Sequence, residues 1–317
     1  MNHVLVTGAT GFLGKRLVRS LLQDGHRVRC LVRATSNVAG LQQFVGDTTH
    51  LEIMHGDLTE MVTVQQALEG IDVLYHAAAA MTGSFETIQR HTVEPTRTVL
   101  QAAVACKTPR VVHISSLGVY DTSSLPRGST LDERCPLEQY PQRRDNYTRG
   151  KLLQEELVWQ AHQEHNLPVV VTRPGVIIGP GRGALSNRLG LKLGSLQLCL
   201  GNRTLPYTYV DNAADAIRLA GLEKDIAGQA FNIVDADLPT CHDLLAAYQQ
   251  HGRKVKALRL GEWAIKPLTW TGRISRHTAE SMWKPLAYSH TKAQAALHWQ
   301  PLVPMKEALR RSIVDSL

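Results

Sequence analysis

Short apolar segments alternate with helical patterns along the first half of this 317-residue chain. Brief runs rich in Val, Ile and Leu are typical of strands that are buried on both faces of a sheet. The alternation therefore predicts βαβ crossovers and an α/β fold with a doubly wound parallel sheet. The predicted strands are His3–Thr7, Arg27–Val32, His50–Met54, Val73–His76, Arg110–Ser115 and Pro168–Arg173. The predicted helices are Gly14–Gln23, Val62–Leu68, Val93–Ala105 and Tyr147–His165.

The pattern changes near Gly179-Pro180-Gly181, where a looser stretch rich in Gly, Leu and Arg begins. Beyond it we predict a strand at Tyr207–Val210, a helix at Ala213–Gly221, a strand at Ala230–Val234 and then mostly helix. We assign residues 1–175 to the large parallel-sheet domain, with 207–235 returning to it, and 176–317 to a smaller, mostly helical lobe. The lobe is expected over the carboxyl ends of the strands, where open α/β sheets bind ligands.

A glycine-rich turn follows the first predicted strand directly and opens the first predicted helix. Its glycines are Gly8, Gly11 and Gly14, in the spacing GxxGxxG. Missing side chains let the backbone approach a pyrophosphate, and the helix N-terminus favours its negative charge. Because the turn has the strand–helix context that a dinucleotide site needs, we interpret it as part of a Rossmann-type cofactor site and not as an ordinary tight turn.

The end of the second strand indicates which dinucleotide is bound. NAD-preferring sites usually place an acid there, on the ribose 2′-hydroxyl, but this chain has Val32 followed by Arg33. A guanidinium is well suited to a 2′-phosphate. We therefore predict NADP(H) in preference to NAD(H), against the alternative of a solvated surface arginine.

Two further turns belong to the same crevice. Gly56-Asp57-Leu58 follows the third strand, where the Asp57 carboxylate either contacts the adenine amine or caps a helix. His76-Ala77-Ala78-Ala79 follows the fourth strand, where small side chains either let a dinucleotide lie close to the backbone or simply pack tightly. The sequence leaves both pairs of alternatives open.

Tyr147 and Lys151 are four residues apart, a spacing that puts a phenol and an ammonium on one face of a helix. A free tyrosine has a pKa of about 10, too high for efficient acid–base chemistry near neutrality, and a nearby cation lowers it. The spacing alone is common by chance. It becomes specific because a predicted strand that carries Ser115 and Ser116 lies upstream, after the glycine-rich turn.

Together these motifs resemble those of the extended short-chain dehydrogenases/reductases over nearly the whole chain. They occur in family order: Thr7–Gly14, Gly56-Asp57-Leu58, His76–Ala79, Ser115–Tyr120, Tyr147–Lys151, Arg173-Pro174 with Gly179-Pro180-Gly181, and Tyr209-Val210-Asp211. The resemblance implies that Tyr147 is the general acid/base and that Lys151 lowers its pKa and holds the nicotinamide ribose. It implies further that Ser116, with Ser115 as the second choice, hydrogen-bonds the substrate oxygen. The cofactor-binding residues expected in this way are Gly8, Thr10, Gly11, Phe12, Leu13, Gly14, Arg33, Asp57, Leu58, Ala77, Ala78, Ala79, Lys151 and Pro174.

Three positions argue against the nucleotide-sugar branch of that family. Val176 stands where its members usually place an Asn, Leu205 where they often place an Arg, and Leu117 where the dehydratases begin an Asp-Glu pair. Arg33 and Tyr209–Ala213 resemble instead the 3β-hydroxysteroid dehydrogenase-like and dihydroflavonol reductase-like branch. We therefore predict an enzyme, an NADP(H)-dependent oxidoreductase that interconverts a ketone and a secondary alcohol. The alternatives are a nucleotide-sugar epimerase with a tightly held cofactor and a non-catalytic NADP(H)-sensing regulatory protein.

One segment departs from the family pattern. The usual Asn-Val-x-Gly-Thr is here Thr92-Val93-Glu94-Pro95-Thr96. Pro95 fits if Thr92 caps a helix that begins at Val93, and it must kink a helix that begins earlier.

The net charge and the lengths of the apolar runs limit the kinds of partner that we expect for this protein. Lys and Arg exceed Asp and Glu by 35 − 28 = 7, which suits a phosphorylated cofactor but also nucleic acid or an anionic membrane. No basic run is interleaved with aromatic residues, so we expect a small-molecule substrate and no nucleic acid. No apolar run approaches the roughly 20 residues that span a bilayer, so we expect a cytoplasmic protein without an integral membrane segment. Peripheral membrane contact through Lys254–Arg276 is the alternative to inward packing of its Trp263 and Trp270.

The remaining expectations concern metals, disulfides and assembly. The five cysteines are scattered without a CxxC pair, and the fourteen histidines show no metal-ligand spacing, so we predict neither a metal site nor a disulfide framework. We expect His76, His91 and His113 to be structural. The family resemblance implies a homodimer joined through the helices near Val93–Ala105 and Tyr147–His165, with a monomer as the alternative.

Overall fold

The computed structural model describes residues 1–185, 192–193, 196–200, 203–260, 263, 269–270 and 284–315. The strands are β1 (His3–Thr7), β2 (Arg27–Val32), β3 (Leu51–His55), β4 (Val73–His76), β5 (Val111–Ile114), β6 (Thr130–Leu131), β7 (Val169–Pro174), β8 (Val176–Ile178), β9 (Lys192–Leu193), β10 (Leu196–Leu200), β11 (Tyr207–Tyr209), β12 (Gln229–Ile233), β13 (Ala257–Leu260) and β14 (Ala287–Tyr288). The α-helices are α1 (Gly14–Gln23), α2 (Val38–Val45), α3 (Met61–Leu68), α4 (Phe85–Ile88), α5 (Glu94–Ala105), α6 (Asn146–His165), α7 (Val210–Leu222), α8 (Cys241–Gln250), α9 (Thr291–Ala296) and α10 (Met305–Val314).

Seven strands form one parallel sheet in the order β3-β2-β1-β4-β5-β7-β12. The chain winds outward from β1 in one direction and from β4 in the other, so the topological switch point lies between these two strands. Helices α1 and α7 contact each other over one face of the sheet, and α3, α5 and α6 pack together over the other. The predicted Rossmann-type doubly wound α/β fold is confirmed.

The two faces of the sheet carry separate apolar cores because successive side chains of a strand point in opposite directions. In β1, Val4 and Val6 belong to the core beneath α1 and α7, whereas Leu5 belongs to the core beneath α3, α5 and α6. All three side chains are fully buried. This burial on both sides explains why the strands appear in the sequence as continuous apolar runs and not as alternating ones.

The predicted elements of the first half agree with the structure to within one residue at most ends, but α2 was not predicted. Asn37 caps this helix by accepting a hydrogen bond of 2.8 Å from the Gly40 amide. Leu41 is its only buried residue. Val38 and Val45 are only partly buried against the same core. A stripe of three apolar residues in this short helix is shorter than the roughly 11–18 residues over which helical periodicity is recognised.

The segment 207–235 is divided between two parts of the molecule. Strand β11 pairs with β8 in a separate two-stranded sheet, whereas β12 pairs with β7 at the edge of the main sheet and α7 packs against α1. A further core around Tyr207, Leu244 and Met305 joins β11, α8 and α10. The division of the chain at residues 175 and 176 stays a prediction.

The helix that contains Pro95 begins well before Thr92. Helix α4 continues through a π-helical turn, Gln89–Val93, directly into α5. Proline has no amide hydrogen, and a π turn changes the hydrogen-bond pattern at the point where that donor is missing. Thr92 does not cap the helix, because its hydroxyl accepts the Ala80 amide at 2.8 Å. The second of the two alternatives therefore holds, with a π turn as the local distortion.

Two sequence expectations need correction. Cys199 and Cys241 form a disulfide, although the scattered cysteines were expected to form no disulfide framework. Strand β10 and helix α8 bring together two residues that are 42 positions apart, a separation that carries no local signal. Trp263 and Trp270 are 68% and 93% exposed, so they do not pack inward. Most of Lys254–Arg276 lies outside the described residues, and peripheral membrane contact stays a prediction.

Across the part of the chain that the structure describes, no cluster of three or more His, Cys, Asp or Glu side chains is arranged to bind a metal ion. In the same residues, no helix is long and apolar enough to cross a bilayer.

Candidate functional site

A cavity of about 550 Å³ lies at the carboxyl ends of the central strands. This volume is within the range of roughly 300–1,000 Å³ that is typical of small-molecule sites. The segments that follow β1, β4, β5 and β7 all contribute to it, together with the N-terminal part of α6. Open α/β sheets bind ligands at this edge, because the switch in strand order leaves a crevice there.

The glycine-rich turn packs tightly against the segment that follows β4. Gly8 has a φ of +70°, and a Cβ there would lie 2.8 Å from the carbonyl carbon of Ala77. A Cβ on Gly14 would lie 2.0 Å from the carbonyl oxygen of Gly8. Neither position has room for a side chain, so the backbone itself forms this wall of the cavity at the start of α1. These residues fit a dinucleotide, whose pyrophosphate needs close approach to backbone amides at a helix N-terminus.

The predicted cofactor-binding residues fall into two groups. The cavity is lined by Gly8, Gly11, Phe12, Leu13, Gly14, Ala77, Ala79, Lys151 and Pro174, whereas Thr10, Arg33, Asp57, Leu58 and Ala78 lie outside its lining. Three of the second group follow the carboxyl ends of the neighbouring strands β2 and β3. The roles of both groups stay predictions.

Asp57 closes a turn before α3 and does not cap the helix. Its carboxylate accepts hydrogen bonds from the Thr59 amide at 2.8 Å and the Thr59 hydroxyl at 2.7 Å, whereas Glu60 is the N-cap residue. These hydrogen bonds lower the pKa of Asp57, and the positive charge of Arg33 acts in the same direction. Arg33 is exposed after β2, close enough to Asp57 to influence its charge.

Helix α6 presents the predicted catalytic pair to the cavity. Asp145 begins this helix by accepting the Thr148 amide at 3.0 Å and the Thr148 hydroxyl at 2.8 Å. Tyr147 and Lys151 then lie one turn apart and both line the cavity, as does Ser116. The structure therefore brings the three predicted catalytic side chains to the cavity that the glycine-rich turn also lines.

Lys151 is 4% exposed, and its Nζ donates to the carbonyl oxygen of Ile114 at 2.8 Å. Burial lowers the pKa of this lysine to about 7, although the Glu155 carboxylate favours the charged form. The ammonium is therefore only partly populated at neutral pH, and any further negative charge beside it shifts the balance towards protonation.

The two candidate serines have different hydrogen-bond partners. Ser115 donates its one hydroxyl proton to Glu155 Oε2 at 2.5 Å, so it has none left for a substrate oxygen. Ser116 begins the short 3₁₀ helix Leu117–Val119, and its Oγ accepts the Gly118 amide at 3.1 Å. Within the described residues its own proton has no acceptor.

Glu155 is a site residue that the sequence analysis missed. It lies one turn beyond Lys151 on α6, is 1% exposed and forms an ion pair with Arg173. The Trp159 indole also donates to it, at 3.1 Å. The available signal was the continuation of the four-residue spacing from Tyr147 through Lys151 to Glu155, which places all three on one face of the helix.

Arginines stand around the cavity beyond the glycine-rich turn. Arg143 and Arg144, from the segment before α6, both line it, and Arg144 donates to the Tyr120 carbonyl oxygen at 3.0 Å. Arg182 also lines the cavity, with its guanidinium carbon 5.4 Å from the centre of the Phe12 ring. Arg182 was not predicted as a site residue, although it directly follows the Gly179-Pro180-Gly181 motif.

A doubly wound sheet with a glycine-lined cavity and a tyrosine–lysine pair on the adjoining helix defines the extended short-chain dehydrogenase/reductase class, and the predicted resemblance is confirmed. The model of the NAD dependent epimerase/dehydratase family matches residues 4–234. The chain belongs to this family and is an NAD(P)-dependent enzyme.

The relatives include reductases. 2-Alkyl-3-oxoalkanoate reductase of Stenotrophomonas maltophilia (strain K279a) is 31% identical over 334 residues, covering 97% of each chain. Sterol demethylase protein B of Methylococcus capsulatus (strain ATCC 33009 / NCIMB 11132 / Bath) is 36% identical over 180 residues, which cover 56% of this chain and 52% of that one. Cinnamoyl-CoA reductase 2 of Arabidopsis thaliana is 30% identical over 182 residues. The matches to the last two span only about half the length of those proteins.

Solved structures share the fold over almost the whole chain. The crystal structure of gox2253 superposes with a TM-score of 0.81 at 26% identity, and UDP-glucuronic acid 4-epimerase from Bacillus cereus in complex with NAD superposes with 0.75 at 22% identity. Each match covers 99% of this chain and 98% of the other. At this identity the epimerase shows the fold alone.

The pKa of Lys151 predicts proton uptake when NAD(P)H binds. At about pH 8 the lysine of the free protein is mostly neutral, and the anionic cofactor favours its ammonium form. We expect uptake of up to about one proton per site, falling towards zero at about pH 5.5, where the lysine is already charged. Calorimetric titrations in buffers of different ionisation enthalpy measure this quantity. The control is Lys151→Met, which should remove the uptake; equal uptake in both proteins would contradict the assignment.

Proposed function

We propose that this protein is an NADP(H)-dependent oxidoreductase that interconverts a ketone and a secondary alcohol, with Tyr147 as the general acid/base. The observation that carries the proposal is the meeting of Tyr147, Lys151 and Ser116 at the cavity that also contains the glycine-rich turn. A sensor of the cofactor needs the turn but has no use for an acid–base pair beside it. The arrangement therefore favours catalysis over the regulatory alternative.

The roles of the side chains follow from their protons and charges. The bound cofactor supplies a hydride to the carbonyl carbon, or accepts it in the reverse direction. Ser116 donates a hydrogen bond to the substrate oxygen, since Ser115 is committed to Glu155. Tyr147 gives its phenolic proton to that oxygen as the carbonyl becomes an alcohol, and the Lys151 ammonium stabilises the phenolate that remains.

Beside the arginines at the cavity, the apolar part of the remaining wall favours a substrate with an apolar body. Away from the glycine-rich turn the lining includes Met81, Leu117, Val176, Ile177 and Pro206. Apolar lining with a few placed polar groups is typical of sites that select small organic molecules. The full-length similarity to a 2-alkyl-3-oxoalkanoate reductase supports a ketone of this kind.

The nucleotide-sugar epimerase alternative has less support from the cavity. Val176, which stands where that branch usually has an Asn, lines the cavity with an apolar side chain, and Leu205 is 1% exposed. Neither residue offers a polar group to a nucleotide. Net oxidation or reduction of NADP(H) separates the two functions, because an epimerase returns the hydride to the same substrate.

Tyr147→Phe removes the proton donor and keeps the ring. We expect turnover of an apolar ketone to fall by about 10²–10⁴-fold, the usual contribution of general acid–base catalysis. The Kd for NADPH should stay within about twofold, since the substrate contact is the one lost. Absorbance of NADPH during turnover and a fluorescence titration measure the two quantities. Retention of full turnover by the variant would refute the assignment of Tyr147.

Arg33→Ala tests the preference for NADP(H). The guanidinium is proposed to bind the 2′-phosphate, which NADH lacks, so we expect the Kd for NADPH to rise about 10–100-fold while the Kd for NADH changes less than about twofold. Arg27→Ala is the matched control, an exposed arginine at the opposite end of β2. Equal losses for the two cofactors in Arg33→Ala would contradict the proposal.

We also propose a homodimer formed through α5 and α6. A shallow depression between these helices is lined by residues that include Leu100, Val104 and Leu157 beside the exposed Gln101 and Gln160. The double variant Gln101→Arg/Gln160→Arg adds four positive charges to a two-fold interface, so we expect it to be monomeric by light scattering. The control is Gln43→Arg on α2. A monomeric unmodified protein would contradict the proposal.

A further inference from the structure

A chain of buried hydrogen bonds lies behind the cavity, between the sheet and helices α5 and α6. Thr7 and His76 face each other on β1 and β4, with Thr7 Oγ1 and His76 Nδ1 2.8 Å apart. The other ring nitrogen, Nε2, lies 2.9 Å from Thr96 Oγ1. Gln154 Nε2 donates to the same Thr96 oxygen at 2.6 Å. All four side chains are 2% exposed or less.

The direction of each bond in this hydrogen-bond chain can be assigned from the Thr92 carbonyl oxygen at its end, which can only accept. The Thr96 hydroxyl has one proton, and it donates that proton to the Thr92 carbonyl oxygen at 2.7 Å. Thr96 Oγ1 must therefore accept from His76 Nε2, which carries the ring proton. A neutral ring then has a bare Nδ1, so Thr7 donates to it. The lone pairs of Thr7 Oγ1 remain for the Ala78 amide, 3.4 Å away.

The surroundings of His76 keep the ring in this neutral form. Burial lowers its pKa to about 3, and the nearby Lys151 charge acts in the same direction. One ring nitrogen must accept and the other must donate for the chain to stay intact. A neutral imidazole has one donor nitrogen and one acceptor nitrogen. The hydrogen-bond chain therefore stays intact throughout the pH range in which Lys151 titrates.

The two ends of this hydrogen-bond chain reach the segment after β4 on both sides of a residue that lines the cavity. The Ala78 amide donates to Thr7 Oγ1 at 3.4 Å. The Ala80 amide donates at 2.8 Å to Oγ1 of Thr92, the residue whose carbonyl oxygen accepts the Thr96 hydroxyl. Ala79 lies between them and lines the cavity, as does Ala77 on the other side of Ala78. Ala77 is also the residue whose carbonyl carbon faces Gly8 at close range.

We propose that His76 is a positioning residue for cofactor binding: through Thr7 on one side, and through Thr96 and the Thr92 residue that it contacts on the other, it fixes the Ala77–Ala80 backbone against the glycine-rich turn. His76 does not itself line the cavity. The proposal rests on the cofactor site but on neither the preference for NADP(H) nor the ketone substrate. Its consequence is that cofactor affinity depends on a side chain that does not touch the cofactor.

The neighbouring His113 provides a matched control. It lies on β5, is completely buried, and its ring centre is 5.9 Å from that of His76. Neither of its ring nitrogens has a hydrogen-bond partner within the described residues. Replacing His113 with Leu therefore makes the same change of side chain in the same region without breaking this hydrogen-bond chain.

The experiment compares NADPH and NADH affinities of four purified variants by fluorescence titration, with melting temperatures measured in parallel. We expect His76→Leu to raise the Kd for whichever cofactor the unmodified protein binds by about tenfold, and His113→Leu to change it less than about twofold. Both variants are expected to have a lower melting temperature than the unmodified protein, so melting temperature alone does not distinguish them. Thr7→Val loses the hydroxyl and should bind the cofactor more weakly than the unmodified protein. Thr7→Ser keeps the hydroxyl and should retain most of the cofactor affinity.

The outcomes separate cleanly. A folded His76→Leu protein with unchanged Kd, or a His113→Leu protein that loses as much affinity as His76→Leu, overturns the proposal. If His76→Leu does not fold, the comparison of Thr7→Val with Thr7→Ser tests the proposal. Equal cofactor affinities of these two variants would overturn it. Preference of the unmodified protein for NADH would contradict the proposed NADP(H) specificity and leave the comparison among variants intact.

Discussion

The buried carboxylate of Glu155 is the group around which the active-site region is organised. It faces Arg173 at the end of β7, accepts the Ser115 hydroxyl from the segment after β5, and accepts the indole of Trp159 on its own helix. An uncompensated carboxylate at 1% exposure would be strongly unfavourable, so these contacts are mutually required. Removing one partner of such a pair typically costs about 3–5 kcal/mol, since the other charge stays buried. Helix α6 is thereby fixed against two central strands.

The ion pair of Glu155 with Arg173 is part of a larger network of buried hydrogen bonds. Arg173 also donates to the Tyr120 hydroxyl at 2.6 Å, which in turn donates to the Asn232 side chain at 2.8 Å. The backbone N–H of Asn232 donates to the Glu133 carboxylate at 2.7 Å, in the long segment before α6. One buried network therefore connects β7, β12 and the loop that ends at the cavity rim. It also distinguishes the two serines that line the cavity, because Ser115 gives its proton to Glu155, whereas the Ser116 proton has no acceptor within the described residues.

The sequence predicts the fold and several of the residues that meet at the cavity, for physical reasons that differ by element. Doubly buried strands such as His3–Thr7 and Val73–His76 appear as apolar runs, and their bounds agree with the structure. The glycine-rich turn is visible because only residues without a side chain fit where Gly8 and Gly14 lie.

Other features depend on distant parts of the chain and leave no local pattern. The ion pair of Glu155 with Arg173, the disulfide of Cys199 with Cys241 and the bridge from Thr7 through His76 to Thr96 all join segments that only the fold brings together. Pro95 predicted a distortion of its helix. The distortion is a π turn that brings the Thr92 hydroxyl to the Ala80 amide, and this geometry depends on packing against the segment after β4.

Two buried side chains near α6, Glu155 and His76, meet the cost of burying polar groups in different ways. At Glu155 the charge is retained and balanced by a guanidinium. At His76 the charge is avoided, and a neutral ring serves as donor at one nitrogen and acceptor at the other. Lys151 lies between these regions, close enough to Glu155 to gain stabilisation and close enough to His76 and His113 to disfavour their protonation. Because burial lowers the pKa of Lys151 to about 7, an anion that enters the cavity shifts this lysine towards its charged form.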